Sequence, residues 1–160
     1  MIYRDIREKL ELTREEASEL LQAISPERLS RIESGKFAIN PDEVCLMAEK
    51  YKEPSLCNYY CSHECPIGQK YVPEVKMQDL SAIVLNMLDS VNSMKNNQER
   101  LIEIAADGEI EDAELLDFIK IREELSRISE TAQALTLWTE KMIADGKIDM
   151  ARYTKIKNNS

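Results

Sequence analysis

With 160 residues, 43% of them hydrophobic, and a net charge of −9, the chain is long enough for one domain or two small ones and apolar enough to bury a core. No apolar run approaches the roughly 18 residues that a membrane span needs, and the opening MIYRDIREKLEL carries charges where a secretory signal would be apolar, so a cytoplasmic protein with no membrane partner is expected. The acidic balance repels nucleic acid at long range and confines any such contact to a locally basic face; Met1 to Pro54 carries nine Lys or Arg against twelve Asp or Glu.

From Ile2 to Tyr51 apolar residues recur at helical spacing and are cut into short pieces by Thr13, Ser25-Pro26, Ser34-Gly35 and Asn40-Pro41, which predicts four short helices. Thr13 with Glu16 three residues on is a capping box. Ser25 is a second N-cap, with Pro26 at the first helical position. Gly35 is a stop signal, and Asn40-Pro41 opens PDEVCLMAEKY, whose Val44, Met47 and Ala48 share a face.

Residues 55–75 break this pattern. The stretch from Lys52 to Val75, KEPSLCNYYCSHECPIGQKYVPEV, reads as a compact, packed connector. Cys57, Cys61 and Cys65 stand four apart with His63 between them. Thiolate and imidazole suit zinc, with Cys45 or His63 as fourth ligand, but the spacing matches neither paired CxxC knuckles nor the common iron–sulfur patterns. The simpler reading, free thiols packed as small apolar groups and no cofactor, is preferred to zinc, and redox sensing is a third.

Residues 76–160 are expected to form an α-helical hairpin. One helix runs from about Lys76 to Ala106, with Leu80, Ile83, Met87, Val91, Met94, Leu101 and Ala105 along one face. The other runs from about Glu111 to Ala144, with Phe118, Ile121, Leu125, Ile128, Ala132, Leu135 and Met142. These coiled-coil-like stripes exceed what two helices can cover for each other and predict a homodimer. Asp107-Gly108 and Asp145-Gly146 mark turns. An EF-hand alignment on the first of these fails because Ala105, which has no oxygen ligand, would stand at position three of the loop.

Within the first 54 residues, the stretch Ser25 to Lys36, SPERLSRIESGK, the pairing of Arg7 with Glu33 just before the glycine turn, and the six-residue step from Arg7 to Thr13 together resemble the Cro/repressor helix-turn-helix proteins, the XRE family, over Ile6 to Glu53. The sequence departs from that pattern in LLQAIS, where Gln22 replaces the usual turn glycine, and in Pro26 and Glu27, which stand where polar base readers are usual. The resemblance implies that Arg7 and Glu33 form a structural ion pair. It implies a third helix that enters the major groove of duplex DNA, with Arg28 and Arg31 on its outer face, Ser25, Glu27 and Ser30 beside them, and Arg14 and Lys36 placed for phosphates. One His, no phosphate-binding glycine loop and no nucleophile–base spacing leave no catalytic site to expect. The expected molecule is an all-α, sequence-specific DNA-binding regulator, a repressor, with domains at 1–54, 55–75 and 76–160. The alternative is a protein-binding adaptor whose helix-turn-helix no longer touches DNA.

Overall fold

The computed structural model describes residues 1–106 and 108–158, apart from the side chain of Asn96. Among these residues the fold is all helical. Four short helices open the chain: α1 (Ile2–Lys9), α2 (Arg14–Leu21), α3 (Pro26–Glu33) and α4 (Pro41–Lys50). Their boundaries follow local chemistry. Thr13 Oγ1 accepts from the Glu16 amide at 3.2 Å, while Glu16 accepts from the Thr13 amide at 2.8 Å, so the capping box satisfies two amides that the first turn of α2 would otherwise orphan. Ser25 Oγ accepts from the Arg28 amide at 3.2 Å. Glu43 accepts from the Asn40 amide at 2.8 Å at the start of α4. Tyr3, Ala17, Leu21, Leu29, Ile32, Val44 and Met47, one or more from each helix, form a single buried core.

The connector joins this core. α5 (Ser55–Tyr59) passes into a π-helical turn at Tyr60–Glu64 and then α6 (Gly68–Tyr71). Leu56 is fully buried in the core, and Tyr59 meets Tyr3 edge-on with ring centroids 6.1 Å apart. Asn58 stitches the end of the segment: its Nδ2 donates to the Pro73 carbonyl at 3.1 Å, and its Oδ1 accepts from the Val75 amide at 2.8 Å. At Gly68 a Cβ would lie 2.0 Å from the Cys61 carbonyl oxygen, so only glycine allows the π-helical turn and α6 to approach this closely.

The chain divides into two compact units, Met1–Val75 with Thr139–Ser160, and Lys76–Trp138. The tail expected to lie wholly with the hairpin is thus grouped with the N-terminal unit from Thr139 on, where Lys141 Nζ donates to the Lys52 carbonyl at 2.9 Å and pairs with Glu53 at 3.5 Å.

Beyond the connector the first long helix is two pieces, α7 (Leu80–Asn96) and α8 (Gln98–Ala105), and α9 (Leu115–Ala144) is unbroken. The interruption falls at Asn97, whose Nδ2 donates to the Ser93 carbonyl at 3.2 Å, a side-chain bond that competes with the helical ladder. The buried line is Ile83, Ser90 and Ile104, with Met87, Met94 and Leu101 half-buried along it. Leu80, Val91 and Ala105 are exposed instead, because steps of alternating four and three residues hold one face and the expected stripe drifted off it. On α9 the buried residues are Ile121, Glu124, Thr131, Ala134 and Leu137, whereas Leu125 and Ala132 are exposed. Glu124, though buried, pairs with Arg127 at 3.0 Å. Gly108 and Gly146 take left-handed φ of +77° and +72°; Asp107, the other half of the first expected turn, lies outside the described residues. A final helix, α10 (Met150–Asn158), ends the described chain.

Candidate nucleic-acid interface

Glu33, the last residue of α3, draws three helices together. Its side chain is 1% exposed and receives two guanidinium groups. Arg7 of α1 donates from Nε to Oε1 at 2.5 Å and from Nη2 to Oε2 at 3.0 Å, and Arg14 of α2 donates from Nε to Oε2 at 2.9 Å. Arg7 also donates to the Leu12 carbonyl at 2.6 Å. The hydrogen bonds it donates to Glu33 hold the Arg7 guanidinium charged more firmly than its ordinary pKa requires, against the opposing effect of burial. A buried carboxylate is tolerated only with such complete pairing.

Arg28 has a structural partner that spacing alone did not anticipate. Its Nε and Nη2 donate to the two oxygens of Glu43 at 2.8 and 2.6 Å, and Nη2 also reaches the Ala38 carbonyl at 2.9 Å. This fork ties α3 to α4. The hydrogen bond from Arg28 holds the Glu43 carboxyl below the usual carboxylate range, against its desolvation, with help from the Asn40 amide. Arg28 therefore does not stand with Arg31 on an open face.

Arg31 is exposed, with its guanidinium 5.3 Å from the Phe37 ring centroid, a cation–π contact that props it outward. Phe37, itself 55% exposed, escaped the sequence reading because nothing in its spacing marks it as a partner for Arg31. An open depression lies where the starts of α2 and α3 converge, lined by Arg14, Glu15, Pro26, Glu27, Ser30 and Arg31. Two helix N-termini open on it, and the dipole of each favours an anion. Lys36 is exposed just beyond the Gly35 turn, where φ is +69°. Ser25 caps α3 at the rim. The turn between α2 and α3 is held by Ser18, whose Oγ donates to the Ile24 carbonyl at 2.7 Å, and it places Gln22 at a left-handed φ of 59°.

The cysteine cluster forms no comparable site. Burial foremost, with Cys45 beside it, pushes the Cys57 thiol up to about 11, which makes it an unreactive thiol near neutral pH. His63 stacks on Tyr59 at 4.4 Å and its Nδ1 lies 2.9 Å from Ser62 Oγ. Cys65 Sγ accepts from the Gly68 amide at 3.4 Å. Among the described residues no group of three His, Cys, Asp or Glu side chains is placed to hold a metal ion. Nor, among them, is any helix long and apolar enough to cross a membrane.

Residues 4–55 match the family model described as helix-turn-helix. No curated protein and no solved structure matches the chain. The match lies in the N-terminal part of the chain and is to helix-turn-helix domains of the XRE type, a DNA-binding regulatory family.

Proposed function

We propose that this chain, with its N-terminal helix-turn-helix, is a sequence-specific transcriptional repressor that binds duplex DNA as a homodimer. The observation that carries the reading is the depression shared by the starts of α2 and α3, with Arg14 and Arg31 on its rim. Arg31, Ser30 and Glu27 on α3 face base edges in the major groove, Arg31 being suited to a bidentate guanine contact. Arg14, Ser25 and Lys36 engage phosphates and fix register. Arg28 supports the reading helix through Glu43 rather than reading a base. Occupancy of an operator is enough to block transcription, and dimerisation doubles the site. The outer face of α7 serves the dimer: Leu80, Val84, Leu88 and Val91 line it beside Leu85, all exposed.

Selection of duplexes from a random pool at stated low salt tests this. The full chain enriches a sequence with two half-sites, and Arg31→Ala loses roughly 1–3 kcal/mol of affinity and relaxes preference at one base pair. Arg14→Ala weakens all duplexes alike. If no duplex is enriched, the adaptor reading replaces the repressor. That alternative draws its support from Glu15 and Glu27 at the same rim and from the pairing of Arg14 with Glu33.

A further inference from the structure

Several cations of the helix-turn-helix are already engaged. Arg7 and Arg14 share Glu33, and Arg28 is held by Glu43. Around the depression only Arg31 and Lys36 lack an ion pair among the described residues, and Glu15 and Glu27 stand beside them. DNA affinity, however, rests largely on neutralised phosphates. A strongly basic stretch lies elsewhere. Residues 147–158 hold four Lys or Arg and one Asp, whereas the rest of the chain holds seventeen against twenty-nine Asp or Glu.

Most of that stretch is α10. Asp149 caps it, its Oδ1 accepting from the Arg152 amide at 3.1 Å. None of its residues is buried, and among the described residues Arg152, Lys155 and Lys157 make no ion pair. A helix that buries nothing contributes little to the fold, and three solvated cations on it in an acidic chain are unexplained by packing. α10 also belongs to the compact unit that contains the helix-turn-helix. Lys141, eleven residues before Arg152, is anchored to the Lys52 carbonyl and Glu53. The basic helix is thereby tethered to the DNA-binding unit, and a tethered second contact binds at high effective concentration.

We propose that α10 is a second DNA contact, in which Arg152, Lys155 and Lys157 neutralise backbone phosphates outside the major-groove site and without reading sequence. The inference rests on the DNA-binding reading above. An anionic bilayer is the less favoured partner, because α10 has nine residues and Lys157 stands one heptad after Met150, among its apolar residues rather than opposite them.

The test compares the full chain with the full-length triple variant Arg152→Gln, Lys155→Gln, Lys157→Gln on one selected duplex between 50 and 200 mM salt. Two or three lost phosphate contacts make the slope of log affinity against log salt shallower by about two to three, and across that range the unaltered chain loses about 10- to 40-fold more affinity than the variant. Base preference and melting temperature stay the same. Equal slopes, with the unaltered chain binding its duplex, overturn the inference and leave the helix-turn-helix reading standing. If the unaltered chain binds no duplex, that reading fails and takes this one with it. Vesicles of phosphatidylserine and phosphatidylcholine give the third arm: binding by the unaltered chain, lost in the variant while the DNA slopes agree, assigns α10 to a membrane surface instead.

Discussion

Glu33 and Glu43 are both carboxylates under guanidinium forks, but they differ in what their removal exposes. Glu33 is sealed in the core, so Arg7→Ala leaves it with Arg14 alone and should destabilise the domain by roughly 3 kcal/mol, the lower end for a stranded buried charge; chemical denaturation measures this, and a loss under 1 kcal/mol would show that Arg14 suffices. Glu43 titrates usefully. Because Arg28 holds its folded pKa below the ordinary value of 4.5, its contribution to stability is full above that value and is lost as pH falls through the depressed folded value. Melting temperature recorded from pH 6 down to pH 3 should therefore drop less steeply for Glu43→Gln than for the unaltered chain, although the variant starts lower at pH 6. Parallel curves would remove Glu43 from the acid response. The Arg7 and Glu33 positions were legible because the resemblance names both ends of the pair. The fork on Glu43 was not, since fifteen residues separate it from Arg28 and no local pattern links the two.

Helix starts were the most legible elements, for the reason that capping is local: Thr13, Ser25 and Asn40 each stand at the N-cap of an observed helix. What lay beyond local chemistry was missed. The break at Asn97 depends on one side chain reaching a carbonyl four residues back, and the buried line on α7 depends on which neighbour the helix meets. Gln22 holds a left-handed turn where the family usually has glycine, because Ser18 clamps the segment from the α2 side. Packing of the connector was expected from its composition, but the demand on Gly68 comes from the Cys61 backbone. Gly68→Ala should displace the π-helical turn or α6 and destabilise the N-terminal unit by more than the few tenths of a kcal/mol usual for a surface change. Hydrogen exchange at the amides of residues 60–72 would report it, and unchanged protection would mean that the backbone yields there at little cost.

At the scale of the whole molecule, self-association is the property most exposed to test. The α7 segment has only Asp89 and Lys95 as charges in 17 residues, so a second copy meets no like-charge barrier there despite the acidic chain. Leu85 is 67% and Leu88 55% exposed. Replacing both with Glu should leave the fold intact and shift sedimentation from dimer to monomer at tens of micromolar; a monomeric unaltered chain, or a dimeric variant, would place self-association elsewhere or nowhere. The Glu33 hub bears on the thermodynamics of the proposed DNA binding. With α1, α2 and α3 bound through one carboxylate, the reading helix is presented already ordered, so docking on DNA involves little coupled folding. Calorimetry of operator binding should then give a heat-capacity change set by the surfaces brought together, and substitutions that loosen the hub, such as Arg7→Ala, should make it more negative as the duplex completes folding that the free protein has lost.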